Sequence, residues 1–235
     1  TIFWKRRRQA DNYWRGLNVG TTISKEQNSE AATKVAEEIN ARFSDAGVVT
    51  EVVAHATGKR FDFIRLTCPP QHWRAVAKWL RYEGGVNNCS MITGTHFPEG
   101  GAERGWEVAV HLHRWPIHNV AANNMVVHVG EELSGDDIPM EYEVFIPLEA
   151  GDSPSVPSVQ DIWEGADWNE KETWDLVGID FDGHVNMHRV LNPHDSPPEF
   201  HPLQRQHNIR YKDFNEMYDD PQGFGRKPVD EGRVK

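Results

Sequence analysis

Apolar residues in the first half of the chain recur at spacings that change from one stretch to the next. Ala32, Val35, Ala36, Ile39 and Phe43 follow at three- and four-residue intervals, with Ser29 placed to cap the start and Gly47 to stop it. On a 3.6-residue turn these positions share one face, so the stretch predicts an amphipathic helix. Two β-branched and aromatic runs follow, Val48 to Ala54 and Phe61 to Thr67, separated by a Gly58-Lys59 turn. They predict a hairpin. Pro69-Pro70 then opens a second helix, because a proline in the first turn lacks only an N–H that has no partner there. Trp73, Val76, Ala77 and Leu80 form its buried stripe, and Gly84-Gly85 ends it. Strand runs follow at Asn88 to His96, Trp106 to Trp115 and Met125 to Val129, with a further one at Tyr142 to Ile146.

The resulting order, α-β-β-α-β-β-β, predicts a two-layer α+β domain over residues 29–150, with helices covering one sheet face. Residues 1–28 read as an irregular N-terminal arm, basic and then polar, in which Trp4, Tyr13 and Trp14 are isolated anchors. After Gly151 the texture changes. Pro147, Pro154 and Pro157 read as breaks in the sheet pattern, and residues 151–192 as short helices, one beginning at Ser158 and one over Asn169 to Val177. Residues 193–235 have no apolar stripe of their own and read as an extended tail lying on partner subunits.

Charge narrows the function. In 235 residues there are 25 Lys+Arg against 36 Asp+Glu, a formal net charge of −11, which disfavours a phosphate backbone as partner. No run is apolar for long enough to span a bilayer. The only cysteines, Cys68 and Cys89, cannot supply four thiolates to a cluster or a structural zinc and read as buried structural thiols. The opening Thr1 and the basic run Lys5 to Arg8 suggest a processed amino terminus.

Candidate chemistry is sparse. His111 and His113, two apart in a strand, project from one sheet face as paired metal ligands can. Without a carboxylate or third histidine at companion spacing they read as half-exposed strand histidines. His184, His188, His194, His201 and His207 form a looser group, and His184-x-x-x-His188 lacks the glutamate of a zinc hydrolase helix. Glu170 and Glu172 point about 200° apart on a helix and make no catalytic dyad. The acids Glu170, Glu172 and Asp175 read as partners of basic groups. No nucleophile elbow or phosphate-binding loop is present.

From Pro154 to Gln206 the order of motifs carries more. Pro157-Ser158-Val159, Ile162-Trp163, Trp168, Glu170-Lys171-Glu172, Trp174-Asp175-Leu176-Val177-Gly178-Ile179, Phe181-x-Gly183-His184, Arg189-Val190-Leu191, Pro193 and His201-Pro202-Leu203 stand in sequence. This run resembles the signature of the 30-kilodalton (C) subunit family of respiratory complex I, the proton-pumping NADH:quinone oxidoreductase. The chain departs from that signature at Asn169, at Lys171 and after Leu203, and residues 100 to 140 look expanded.

The resemblance implies a non-catalytic subunit of the hydrophilic arm, bracing redox subunits in fixed positions. It implies no cofactor or metal bound by this chain, with FMN, iron–sulfur clusters and quinone in partner subunits. The 49-kilodalton quinone-site subunit is the expected neighbour. Signature residues expected at that interface are Trp163, Trp168, Glu170, Lys171, Glu172, Trp174, Asp175, Gly178, Gly183, His184, Arg189, His201 and Pro202, the tryptophans fitting either a contact surface or interior packing. Asp175, Gly178 and Gly183 are expected to serve turn and cap geometry. The expected location is the matrix side of the mitochondrial inner membrane, or the cytoplasmic face of a bacterial membrane. Rival readings are the equivalent subunit of a membrane-bound hydrogenase or a ferredoxin- or deazaflavin-driven dehydrogenase, and a free-standing zinc hydrolase using His111, His113 and one of the downstream histidines.

Overall fold

Helix α1 (Lys25–Arg42) starts a turn earlier than Ser29, because Ser24 and Gln27 close a capping box. The Ser24 hydroxyl accepts from the Gln27 N–H at 3.2 Å while the Gln27 side chain accepts from the Ser24 N–H at 2.9 Å, which satisfies donors that the helix cannot. The structure, a computed structural model, describes residues 24–56, 61–98, 105–115 and 138–204. The expected strand at Met125 to Val129, most of the N-terminal arm and residues 205–235 lie outside the described residues.

Strands β1 (Val49–Val53) and β2 (Phe63–Thr67) form the expected antiparallel hairpin. Helix α2 (Pro70–Tyr82) follows with Pro70 in its first turn, and Gly85 takes a φ of 68° just after it. β3 (Asn88–His96), β4 (Trp106–Arg114) and β5 (Met140–Leu148) are antiparallel neighbours. The sheet order is β1-β2-β5-β4-β3, so β5 enters beside β2 and runs parallel to it. Pro147, read as a break, is inside β5. Beyond Phe145 the ladder with β2 has ended, so β5 has a neighbour on one side only and a residue without an N–H costs little.

The registers put Ile64, Leu66, Val108, Val110, Leu112, Tyr142, Val144 and Ile146 on one face, all essentially removed from water. All three helices of the described residues join that face in one core, through Ala32 and Ile39, through Trp73, Val76 and Leu80, and through Ala166 and Val177. The opposite face, with Arg65, Glu107, His111, His113, Glu141 and Glu143, is half-exposed. This is the two-layer α+β arrangement expected.

The signature stretch builds a further unit. β6 (Ser155–Pro157), helix α3 (Glu164–Val177) and β7 (Asp180–Asp182) form a strand-helix-strand crossover whose two strands pair in parallel. Pro157, also read as a break, is therefore a strand residue, and the helix expected from Asn169 starts at Glu164. The stretch from Ser158 closes only a single turn, in which the Ile162 and Trp163 N–H groups donate to the Val159 carbonyl at 2.9 and 3.2 Å. α3 lies directly on β3. A Cβ at Gly94 would come within 2.7 Å of Ile179 Cδ1 and 3.0 Å of Thr173 Cγ2, so the absence of a side chain there sets the helix-to-strand distance.

Candidate functional site

The signature residues gather around α3, and five of those expected at the interface, Trp163, Glu170, Lys171, Asp175 and Arg189, are buried. Thr173 faces the sheet and donates its hydroxyl to the Ile92 carbonyl at 2.9 Å. Glu170 is fully buried. Its carboxylate accepts from the Ser158 hydroxyl at 2.6 Å and from the Val159 N–H at 2.8 Å, tying α3 to the strand that precedes it. Burial pushes the Glu170 acid up to about 7, against the pull of those two hydrogen bonds. His184 closes this end of the helix, with Nε2 3.3 Å from Asp167 Oδ1 and 3.9 Å from Glu170 Oε2. Lys171 also meets Asp167, at 2.8 Å and one helical turn away.

At the other end of α3, Asp175 is the hub of a polar clamp. One oxygen accepts from the backbone N–H groups of Val190, Leu191 and Asn192 at 3.0, 2.8 and 2.8 Å. The other accepts from Arg189 Nη1 at 2.7 Å and from the Asn192 side chain at 2.9 Å. Burial alone would raise this acid, yet the Asn192 backbone and side chain, the Leu191 N–H and Arg189 together hold it well below the usual carboxylate range. Arg189, nearly buried, donates onward to the carbonyls of Pro197 (2.5 Å), Pro198 (3.1 Å) and Phe200 (3.0 Å). Its guanidinium also sits 5.4 Å from the centre of the Trp174 ring, against which His201 packs edge-on.

The strap continues back onto the helix end. His201 Nδ1 lies 3.1 Å from the Asp175 carbonyl, Gln204 donates to the Val177 carbonyl at 2.8 Å, and the Leu203 N–H donates to Leu176 at 2.9 Å. Gly178 ends α3 at a φ of 86°, and a Cβ there would lie 2.6 Å from the Gln204 amide nitrogen and 2.7 Å from His201 Cδ2. Gly183 has a φ of 82° at the turn after β7, and Pro202 is half-buried in the strap. Gly178 and Gly183 thus take left-handed backbone at the helix end and at a turn, whereas Asp175 lies inside α3 and holds the segment that follows β7. The tail expected to depart at Pro193 instead folds over α3 as far as Gln204.

Several signature residues are turned into the chain itself. Trp163 is interior: it is 4% exposed, stacks on Trp73 at 6.4 Å and donates Nε1–H to the Val86 carbonyl at 3.0 Å. Glu170, Lys171, Asp175 and Arg189 are buried and spent within the chain. Glu170 is hydrogen-bonded by a serine and an N–H, with His184 as its basic neighbour at 3.9 Å. Trp168 does face solvent, 52% exposed, with its indole N–H on Glu172 at 2.6 Å. Among the residues after α3, Leu191, Leu203 and Val185 are also exposed, at 54, 57 and 89%. Ser158, Asn192 and Gln204 also carry the clamp through the Glu170 carboxylate, the Asp175 carboxylate and the Val177 carbonyl, contacts made only by folding, whereas Asp167 meets Lys171 at the i,i+4 spacing of a helix.

Cys68 and Cys89 are buried and not joined in a disulfide, and burial raises both thiols to about 12. With no other cysteine in the chain, its residues do not fit an iron–sulfur cluster.

On the half-exposed sheet face the histidine pair has a companion that the sequence spacing hid. Strand register sets Glu141 of β5 directly across from His113. His111 Nε2 is 2.7 Å from Glu141 Oε1, and the Ser90 hydroxyl is 3.0 Å from His111 Nδ1. His113 stacks on Trp115 at 5.2 Å, and its buried Nδ1 has no hydrogen-bond partner among the described residues. Burial, and then His111, lower the His113 value against the opposing pull of Glu141.

Comparison with known proteins follows the same segment. The family described as respiratory-chain NADH dehydrogenase, 30 Kd subunit, matches residues 66–213. The C subunit of the NADH-quinone oxidoreductase of Acidothermus cellulolyticus is 43% identical over 86 residues, covering 35% of this chain and 42% of that protein. The C/D subunit of the NADH-quinone oxidoreductase of Gluconacetobacter diazotrophicus is 41% identical over 80 residues, covering 33% of this chain and 12% of that one. The chain thus spans less than half the length of these relatives. A chain in the structure of the membrane-bound sulfane sulfur reductase, an archaeal respiratory membrane complex, shares the fold at 17% identity and a TM-score of 0.53, over 83% of this chain and 99% of that one.

Proposed function

Because the chain belongs to the 30-kilodalton subunit family of respiratory-chain NADH dehydrogenases, we propose that it is a non-catalytic subunit of a proton-pumping NADH:quinone oxidoreductase. It braces the quinone-site and iron–sulfur subunits of the hydrophilic arm, while FMN, clusters and quinone are carried by those partners. The observation that carries this reading is the clamp on α3. Glu170 and Asp175 spend their oxygens on hydroxyl, amide, guanidinium and backbone donors, so they hold the chain in shape and offer no free base to a substrate. A rigid element of that kind keeps redox neighbours at constant separation, and electron transfer depends on that geometry.

Trp168 on α3 and Val185, Leu191 and Leu203 after it are large apolar side chains left exposed, and aromatic and aliphatic anchors of this sort supply much of the energy where two proteins meet. We assign the 49-kilodalton quinone-site subunit as the partner that covers these exposed residues. A relative whose name joins the C and D subunits supports a close neighbour of that kind. Among the described residues no helix is long and apolar enough to cross a membrane, so the membrane is reached through partners.

Native electrophoresis of source membranes tests the reading. The chain is expected in a very large particle that also contains the NADH-oxidising flavin subunit. A Trp168→Asp, Leu203→Asp double variant, folded by circular dichroism, is expected to drop out of it. Recovery of the wild-type chain as a free monomer, or substrate turnover by the isolated chain, would overturn the proposal. A particle lacking the flavin subunit would point to a hydrogenase-like or ferredoxin-driven relative.

A further inference from the structure

We propose that His111, His113 and Glu141 form a binding site for a divalent first-row transition ion of the zinc type on the half-exposed face of the sheet. A ring nitrogen from each histidine and a carboxylate oxygen of Glu141 lie within 4.8 Å of one another, close enough for a single ion to draw them in by small side-chain rotations. The ligands come from rigid elements. His111 and His113 alternate onto the same face of β4, and register with β5 supplies Glu141 across the strand gap.

Three further features separate this cluster from a casual ion pair. Ser90 sits on Nδ1 of His111, which leaves Nε2 turned toward Glu141, the outer-shell arrangement that fixes a ligating imidazole. His113 is held by stacking on Trp115, and its buried Nδ1 lacks any hydrogen bond from the described residues, a lone pair or proton left unmatched. The neighbouring Glu143 is already taken by Arg65 at 3.1 Å, so the cluster offers one carboxylate and two imidazoles. That donor set suits zinc, copper or nickel better than calcium or magnesium, which prefer all-oxygen cages. His111 and Glu141 remain part-exposed, which leaves coordination positions open to water.

This departs from the expectation that the chain binds no metal, and it stands independently of the respiratory assignment. The chain has 12 histidines, so the test must be residue-resolved. Equilibrium dialysis of the purified full chain against zinc chloride is expected to give one tight equivalent. Affinity should fall at least about tenfold in His113→Asn and in Glu141→Gln, and more modestly in Ser90→Ala. Cobalt substitution gives a second readout, a visible absorption band of low-coordinate geometry in the wild type that is lost in His111→Asn. All four positions are on the open face, and urea midpoints without metal are expected to match the wild type. Zinc binding of equal affinity in the His113 and Glu141 variants, no saturable binding, or a cobalt spectrum of the hydrated ion would each overturn the site and leave a plain His111–Glu141 pair.

Discussion

Replacing Asp175 with alanine removes the acceptor on which the strap converges. Three backbone N–H groups lose their acceptor, and the Asn192 amide and the Arg189 guanidinium lose the carboxylate and keep only backbone carbonyls. Breaking a buried ion pair by deleting one member costs about 3–5 kcal/mol, because the surviving charge stays out of water. Orphaned N–H groups would add about 1–3 kcal/mol if they stayed buried, though these terms are not additive. The strap has an alternative, since residues 189 to 204 can peel from α3 and rehydrate, which caps the loss at the free energy of local opening. The expected result is therefore a destabilisation of about 3–5 kcal/mol in urea unfolding, or a smaller global loss with fast amide exchange at Val190, Leu191 and Asn192.

Hydrogen-exchange mass spectrometry separates these outcomes. Asp175→Asn, which keeps the shape and loses the charge, should fall between alanine and wild type. The wild-type contribution is present above the unfolded carboxylate value of about 3.9 and is lost as pH falls through the depressed folded value, so the cost of the variant should shrink in acid. A loss below about 1 kcal/mol at neutral pH, with those three amides still protected, would refute the clamp as described.

Glu170 predicts the opposite slope. Its acid binds a proton more tightly when folded, so its contribution is full below 4.5 and fades as pH rises through about 7, a change of about 3 kcal/mol at most. Glu170→Gln should flatten the stability profile of urea midpoints between those limits, and an unchanged slope would contradict the assignment. Gly178→Ala combines a left-handed backbone with contacts of 2.6 and 2.7 Å to Gln204 and His201, so it should cost about 1–3 kcal/mol in thermal melts. Cys68 and Cys89, buried and with thiols raised to about 12, should react with a thiol reagent only as fast as the protein opens. Full labelling within seconds in native buffer would show that the thiols are accessible.

Local periodicity was enough for the first two helices, the hairpin and the strands at Asn88 and Trp106, since each buries one regular face. It misplaced the start of α1 because the Ser24–Gln27 box overrides a weaker cap at Ser29. It misread Pro147 and Pro157 as breaks because tolerance for proline depends on which neighbours a strand has, and pairing is invisible locally. Trp163 and Trp168 look alike in the chain, yet one is core and the other faces solvent. α3 began earlier than its apolar pattern suggested, since Gly165 contributes by fitting under the Cys89 carbonyl and has no side chain to mark it.

The amino-acid sequence by itself determined the family, through an ordered run of residues from Pro157 to Leu203, and the two-layer α+β order, through hydrophobic periods that only a helix or a strand can bury. Tertiary structure alone decided which polar groups meet. Asp175 finds the strap, Glu170 finds Ser158, and Glu141 arrives beside His111 and His113 through the register of β4 with β5. The reason is one of range. Helix and strand faces are set by neighbours a few residues apart, whereas a clamp or a ligand set is assembled by chain segments whose separation along the sequence has no bearing on their distance in space.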